Sequence, residues 1–372
     1  IMLIGVPSEI KAQESRVGLT PESVQQLVNY GHQVLVEDHA GYGAGFENSD
    51  YESVGAKILK EASDIFNDAD LIIKVKEPLQ KEVEMLRENQ ILFTYLHLAA
   101  APELTAGLIK SKSVCIAYET VTDENNHLPL LAPMSAVAGR ISIQAGAHSL
   151  EKTQKGRGLL LGGAPGVQPG NVLILGGGVV GENAAIIATG MQAAVSIIDK
   201  SSQRLKELHS KFGDVITPLQ SDDIDLQKHI QDCDLLIGGV LVPGANAPKL
   251  VSKEMVSSMK RGAVVVDVAI DQGGCVETSK PTTHADPTYM VGDVVHYCVA
   301  NMPGCVPMTS TLALNAATLP FVLKLAQEGY KKALTSDANF LAGLNVCQGN
   351  VTYKAVADDL NYEYVAAGSA IN

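Results

Sequence analysis

The sequence predicts two doubly wound α/β domains with parallel sheets, the second inserted in the first, with a cleft between them. Short apolar runs alternate with helical stretches along the chain, the pattern of strands joined by crossover helices. Two such series occur, and a long helical stretch follows each. The composition agrees with this. A chain of 372 residues is long enough for two ordinary domains. With 46% hydrophobic residues, 19% charged residues and 34 glycines, it can fill packed parallel sheets and their tight turns.

The elements follow in order. Leu3–Val6 is the first strand. Pro21 opens a helix, because proline lacks an N–H that the first helical position does not need. Strands are expected at Val34–Glu37, Leu71–Val75, Ile91–Leu96 and Val114–Tyr118. From Pro133 to Lys152 the spacing of Met134, Val137, Ile141, Ile143 and Leu150 becomes helical. A glycine-rich loop, Gly162 to Gly166, precedes the second series. Its strands are Val172–Leu175, Ala194–Ile198, Leu235–Ile237, Val264–Val268 and Val294–Val299. After Pro307, a second long helix runs from about Leu312 to Gln327. The division that follows is 1–128 with 307–372 as one domain and 129–306 as the inserted one.

Charge and cysteine usage narrow the function. A net charge of −13 argues against a nucleic-acid partner, which needs a basic patch. Six scattered cysteines without CxxC spacing read as buried thiols of a reducing compartment, so neither a metal site nor a disulfide framework is expected. The start reads as a strand and lacks the features of a signal peptide. The most apolar window, Val172–Ile198, is interrupted by Glu182, Asn183 and glycines, so it is not a membrane span. A cytoplasmic protein without a membrane partner is expected.

The second series opens on a dinucleotide fingerprint. Val172-Leu173-Ile174-Leu175 runs into Gly176-Gly177-Gly178-Val179-Val180-Gly181, which is GxGxxG after a strand and at the start of a helix. Gly176 permits the tight turn, Gly178 lets backbone approach a pyrophosphate, and Gly181 allows close helix–strand packing. The helix start supplies amide donors. Asp199 ends the next strand, eighteen residues after Gly181, where a carboxylate bonds the ribose hydroxyls of NAD and repels the extra phosphate of NADP. Lys200 and Arg204 lie close by and weaken that exclusion. A ligand-free glycine turn is the alternative; the strand, helix and acid together favour NAD.

Open parallel sheets bind ligands beyond the carboxyl ends of their strands. Beyond those ends in the first series lie Lys11 and Arg16, Lys76, His97 and Glu119; in the second, Asp271 and Asn301. Arginine can grip a carboxylate through two parallel hydrogen bonds, and histidine moves a proton near neutral pH. Lysine can polarise a carbonyl, and aspartate can orient water. Each residue also has an ordinary structural reading. Arg16 can be a surface residue, His97 a core histidine, Glu119 a cap and Asp271 part of a turn. Lys74 and Lys76 fall on one sheet face by alternation, so spacing does not choose between them.

Longer motifs carry a family resemblance. Gly5-Val6-Pro7, the stretch Glu14 to Pro21, Lys74-Val75-Lys76-Glu77-Pro78, Tyr95-Leu96-His97-Leu98-Ala99, Ala117-Tyr118-Glu119-Thr120 and Leu130-Leu131-Ala132-Pro133-Met134-Ser135 are similar to those of L-alanine dehydrogenases. So are Val240-Leu241-Val242-Pro243-Gly244, Asp271-Gln272-Gly273-Gly274-Cys275 and Ala300-Asn301-Met302-Pro303. The resemblance covers nearly the whole chain. It implies a homohexamer that interconverts L-alanine with pyruvate and ammonia. It implies that Arg16 and Lys76 bind the substrate carboxylate or carbonyl, with Lys76 chosen over Lys74. His97 is then the acid/base and also touches substrate, and Asp271 acts at the amino carbon. Ser135, Val179, Val180, Asp199, Val240, Leu241, Asp271, Asn301 and Met302 line the cofactor site with the glycines. Lys200-Ser201-Ser202 is more basic than the common family pattern. The soluble NAD-binding part of proton-translocating transhydrogenases and saccharopine dehydrogenase are the rival resemblances. A catalytically silent NAD sensor is the third alternative.

Overall fold

The computed structural model describes residues 1–242 and 246–371. Pro243 and Gly244 of the Val240–Gly244 motif lie outside the described residues. The first strands are β1 (Leu3–Val6), β2 (Gln33–Glu37), β3 (Lys57–Leu59), β4 (Leu71–Ile73), β5 (Ile91–Thr94) and β6 (Val114–Ala117). Then come β7 (Asn171–Leu175), β8 (Ala194–Asp199), β9 (Ile216–Gln220), β10 (Leu235–Gly238), β11 (Val264–Asp267), β12 (Thr288–Val291) and β13 (Val294–Tyr297). β14 (Leu344–Cys347) and β15 (Asn350–Val351) close the series.

These strands form two sheets, one in each of two compact units. Unit 1 comprises Ile1–Met134 and Val306–Asn372; unit 2 comprises Ser135–Cys305. The sheet of unit 1 runs β15-β14-β6-β5-β4-β1-β2-β3, and that of unit 2 runs β12-β13-β11-β10-β7-β8-β9. Read from β3, the first contains the order 3-2-1-4-5-6; read from β9, the second winds outward from its first strand in the same way. In each, the connections reverse beside the first strand, between β1 and β4 and between β7 and β10. That switch point is where open α/β sheets bind ligands.

The central pairs are parallel, as the sequence implies. Among the described residues, antiparallel strands appear only toward the edges: β14 on β6, β15 on β14, and β12 on β13. Reading periodicity alone missed β3, β9, β12, β14 and β15, which are short or carry polar residues on exposed faces. Several expected strands also end early. β4 stops at Ile73, so Lys74 and Lys76 lie past the strand, and the sheet-face alternation expected of them does not apply.

The central strands of unit 1 are buried on both faces, with Ile72, Leu92, Cys115 and Val346 packing against Phe66 and Leu108 of the covering helices. In unit 2, Leu173, Leu236 and Val265 pack against Ile230, Val251 and Val256. Of the six cysteines, Cys305 is exposed, against the expectation of buried thiols; the other five are buried. No helix among the described residues is long and apolar enough to cross a membrane.

The helical segment Pro307–Thr335 is longer than its apolar spacing implied, and Gly329 bends it. It completes unit 1 through Asn315. The Asn315 Oδ1 accepts from the Thr20 amide at 2.9 Å and the Ser23 hydroxyl at 3.0 Å, while its Nδ2 donates to the carbonyls of Gly18 and Thr311. This buried amide fixes the exit of the loop that carries Arg16. Asn315→Ala orphans several buried groups at ~1–3 kcal/mol each. Urea unfolding is therefore expected to show a loss of roughly 3 kcal/mol. A change below about 0.5 kcal/mol, the size of an ordinary surface substitution, would contradict that role.

Candidate functional site

In unit 1 the sequence-selected residues stand at the carboxyl edge of the sheet, and carboxylates hold the loops that carry them. The Glu37 carboxylate, ending β2, accepts from the Ser8 amide beyond β1 at 2.7 Å. Glu9, beyond β1, accepts from the amides of Val75 and Lys76 beyond β4. Glu119, beyond β6, accepts from the amides of Leu96 at 3.1 Å and His97 at 2.6 Å beyond β5. Amides past the end of a parallel strand lose their ladder partners, and each carboxylate supplies acceptors to them.

Arg16 is not a surface residue. Only 2% of its side chain is exposed, and its Nε and Nη2 donate to the two Glu14 carboxylate oxygens at 2.7 Å each. Its Nη1 faces the Met134 sulfur at 3.2 Å. Burial disfavours the guanidinium charge, but the hydrogen bonds and charge of Glu14 outweigh that cost and hold it protonated. Glu14 takes the Nε edge of the guanidinium, which turns the Nη1 edge away from it.

The two lysines of the Lys74-Val75-Lys76 stretch separate clearly. Lys74 has 1% of its side chain exposed and its Nζ donates to Glu9 at 2.7 Å and Glu82 at 2.9 Å. Burial pushes the Lys74 ammonium down, yet the two carboxylates reverse this and hold it above its ordinary value. The Tyr118 hydroxyl donates to the Lys74 carbonyl at 2.9 Å, so Lys74 is structural. Lys76 is half-buried, and its carbonyl accepts from the Thr94 hydroxyl at 2.9 Å. Lys11 pairs with Glu77. Burial raises the Glu77 carboxyl, but the Lys11 hydrogen bond and the charges of Lys76 and Lys11 bring it below its ordinary value.

His97 is not a core histidine either. Its side chain is 52% exposed, its ring stacks on Tyr95 at 6.0 Å between centroids, and its Nδ1 lies 4.0 Å from Glu119. Its backbone sits in the left-handed region, φ +50°, which costs energy for a residue with a Cβ. The 2.6 Å bond from its amide to Glu119 helps to hold that conformation. Glu119 therefore acts as the cap foreseen for it, and it also faces the imidazole. The Tyr95 phenol is buried and donates to the Leu130 carbonyl. Its ionisation is pushed up by burial, with Arg16 opposing and Glu119 reinforcing the shift, so the phenol lies near both groups. Arg16, Tyr95, His97 and Glu119 thus form one neighbourhood.

In unit 2 the glycine turn has the expected form. Gly176 adopts φ +95°, which suits a residue without a Cβ. A Cβ on Gly181 would lie 1.8 Å from the Gly176 carbonyl oxygen. A Cβ on Gly178 would meet no atom within 4 Å, so it would project into open space at the start of the helix Val179–Gly190. That helix carries no side-chain cap, and its first amides suit an anionic ligand. These features fit a pyrophosphate. Asp199 is aimed by two amides: its Oδ2 accepts from Gly177 at 2.7 Å and its Oδ1 from Ser201 at 2.8 Å.

The remaining cofactor-site candidates gather around this turn in part. A Cβ on Gly176 would touch Val240, and one on Gly239 would touch Val180. The Gln272 side chain bonds both the amide and the carbonyl of Val242, which fixes the loop holding Leu241. Ser135 lies on the helix Ala132–Ser149, one turn before Gly139, whose own Cβ position abuts the Val180 carbonyl. Asp271 is exposed, and its Oδ1 accepts from the Asn301 amide at 3.4 Å. Asn301 is left-handed, φ +59°, and Met302 beside it is buried.

Sequence reading missed Glu9, Glu14, Tyr95 and Gln272 as parts of the site. All four adjoin strand ends, and the rule that selected Arg16 and His97 reaches them.

A family model described as "Alanine dehydrogenase/PNT, N-terminal domain" matches residues 5–138, and one described as "Alanine dehydrogenase/PNT, C-terminal domain" matches residues 142–354. The chain belongs to the alanine dehydrogenase/PNT family. It is 56% identical over 370 residues to an alanine dehydrogenase of Halomonas elongata, with the whole of each chain covered. Among solved structures it is similar to an L-alanine dehydrogenase, with a TM-score of 0.94 and 52% identity across 97% of this chain and 99% of that one. A transhydrogenase from Sinorhizobium meliloti has a TM-score of 0.81 at 24% identity, covering 95% of this chain and 99% of its own, and shares the fold alone. The C-terminal family segment runs past unit 2 because it follows sequence order, whereas the tail of this alanine dehydrogenase/PNT chain folds back into unit 1.

The two glycines make separable predictions. Gly178→Ala should leave thermal stability within about 0.5 kcal/mol of the parent and weaken dinucleotide binding, measured by calorimetric titration. Gly181→Ala should lower both, because its methyl group collides with backbone. Unaltered binding in Gly178→Ala would contradict a pyrophosphate at the turn.

Proposed function

We propose that this chain is an NAD-dependent L-alanine dehydrogenase, catalysing the reversible oxidative deamination of L-alanine to pyruvate and ammonia. The observation that carries the reading is likeness above one-half identity, over the entire chain, to a protein named alanine dehydrogenase. The glycine turn and the Asp199 carboxylate support NAD as the cofactor. In this reading unit 2 binds NAD through Gly176, Gly178, Val179, Val180, Gly181 and Asp199, with Ser135, Val240, Leu241, Asp271, Asn301 and Met302. Unit 1 binds the amino acid.

NAD supplies the acceptor for the hydride that leaves the α-carbon. The Arg16 guanidinium and the Lys76 ammonium bind the substrate carboxylate. The Glu14 pair fixes the guanidinium plane, so orientation is set before substrate arrives. Loss of hydride from the α-carbon of the amino acid with its amine unprotonated leaves an iminium. Asp271 orients water toward the iminium carbon and stabilises its charge. His97 takes one proton from that water as it adds and returns it to the amine nitrogen; as the C–N bond breaks, the hydroxyl proton passes to His97, and this releases ammonia and leaves pyruvate. Glu119, which accepts from the His97 amide, positions the imidazole.

We further assign a cytoplasmic homohexamer. Light scattering on the purified protein should return a mass of six chains; a monomer mass would contradict that assignment. The enzyme reading is tested by NADH formation with a panel of small L-amino acids in mildly alkaline buffer. L-alanine should be the preferred substrate. NAD binding without oxidation of any amino acid would overturn the enzyme reading. His97→Ala should lower turnover by about 10²–10⁴-fold, the usual size of general acid–base catalysis, while NAD still binds. Unchanged turnover would remove His97 from the mechanism.

A further inference from the structure

Lys200 and Arg204 follow Asp199 and place two cations beside the group expected to exclude NADP. The structure separates them. Lys200 is exposed, and its carbonyl accepts from the Gln220 side chain at 2.7 Å. Arg204 is turned under the glycine loop and is held at all three guanidinium nitrogens. Its Nε donates to the Gly177 carbonyl at 2.6 Å, its Nη1 to Glu207 at 3.2 Å, and its Nη2 to Glu182. The second oxygen of Glu182 accepts from Lys211.

Glu182 is therefore the hub of this cluster. It stands in the first turn of the helix that follows the glycine loop, with its side chain only 20% exposed. An unpaired carboxylate at that point would oppose the binding of phosphate. Here two cations and the neighbouring Glu207 make a cluster of no net charge. Burial pushes the Glu182 carboxyl up, but hydrogen bonds and charge from Lys211 and Arg204 bring it below its ordinary value, so it stays ionised at neutral pH.

We infer that Glu182 is a specificity-determining residue for the cofactor: by holding Arg204 against the Gly177 carbonyl, it withholds the guanidinium from the extra 2′-phosphate of NADP. The inference rests on the reading that this turn binds NAD. Asp199 would exclude the phosphate directly, as a carboxylate at the end of β8 that would meet the ribose hydroxyls. Glu182 excludes it indirectly, because it engages the nearest arginine that a phosphate could recruit. Arg204 also steadies the glycine turn, since Gly177 is clamped from both sides. Its amide donates to Asp199, and its carbonyl accepts from Arg204. A freed Arg204 could swing toward Asp199, neutralise it and offer the phosphate a guanidinium.

The test is equilibrium binding, read without turnover. NADH and NADPH are titrated separately into the purified wild-type protein, Glu182→Gln, Arg204→Gln and the Glu182→Gln/Arg204→Gln double variant, following cofactor fluorescence. Glutamine keeps the shape of Glu182 and removes its charge. Glu182→Gln should shift the ratio of dissociation constants about tenfold toward NADPH, the size of one charged hydrogen bond. The double variant should lose that gain, because the gain needs the arginine. An unshifted ratio in Glu182→Gln, with NADH still bound, would overturn the inference and leave the NAD reading intact. A gain that persists without Arg204 would overturn it too. Failure of the wild-type protein to bind NADH would overturn the NAD reading itself.

Discussion

The functional edges of both sheets depend on one device: a side chain at the end of one strand accepts hydrogen bonds from amides just past the end of its neighbour. Where a parallel strand ends, its ladder ends, and the amides beyond it need other acceptors. Glu37 holds Ser8, Glu9 holds Val75 and Lys76, and Glu119 holds Leu96 and His97. In unit 2 Asp199 holds Gly177. Loops at strand ends carry the chemistry of α/β enzymes, and loops are mobile unless tied. Two of these ties also place candidate site residues. The amide that Glu119 accepts belongs to His97, and one that Glu9 accepts belongs to Lys76.

The same carboxylates manage the buried charge. A buried ion is costly unless it is paired and hydrogen-bonded. Arg16 and Lys74 are both almost wholly buried, and each has carboxylate partners within 3 Å: Glu14 for Arg16, Glu9 and Glu82 for Lys74. The pairing is asymmetric in its consequence. Two carboxylates surround Lys74, whereas Glu14 covers one edge of Arg16. Lys74 is thus enclosed by two carboxylates, while one carboxylate orients Arg16. A parallel contrast holds in unit 2, where Arg204 is engaged at every nitrogen while Asp199 keeps its carboxylate at the strand end.

Much of this was legible in the sequence, and the limits have physical causes. Long apolar runs fixed the central strands, since strands buried on both faces carry a continuous signal. β12 and β15, at the sheet edges, escaped because half-exposed strands of two to four residues lack one. The glycine turn was readable because GxGxxG encodes backbone sterics directly: the 1.8 Å approach at Gly181 admits no side chain. Lys74 and Lys76 could not be told apart by spacing. What divides them is tertiary, namely Glu9 and Glu82 converging on one ammonium. The left-handed backbone of His97 was equally invisible, because nothing local to Leu96-His97-Leu98 dictates it. It depends on Glu119, twenty-two residues later. Proximity in sequence makes Arg204 a cation that weakens NADP exclusion; in the structure its charge is taken up by Glu182 and Glu207.

The central claim is that the α-hydrogen of alanine leaves as hydride to the nicotinamide of NAD. L-Alanine deuterated at C2 tests it directly, by mass spectrometry of the reduced cofactor formed by the purified protein. The account predicts one deuterium in each reduced cofactor, with pyruvate and ammonia in equal amounts. Reduced cofactor without deuterium, or no reduced cofactor at all, would contradict it.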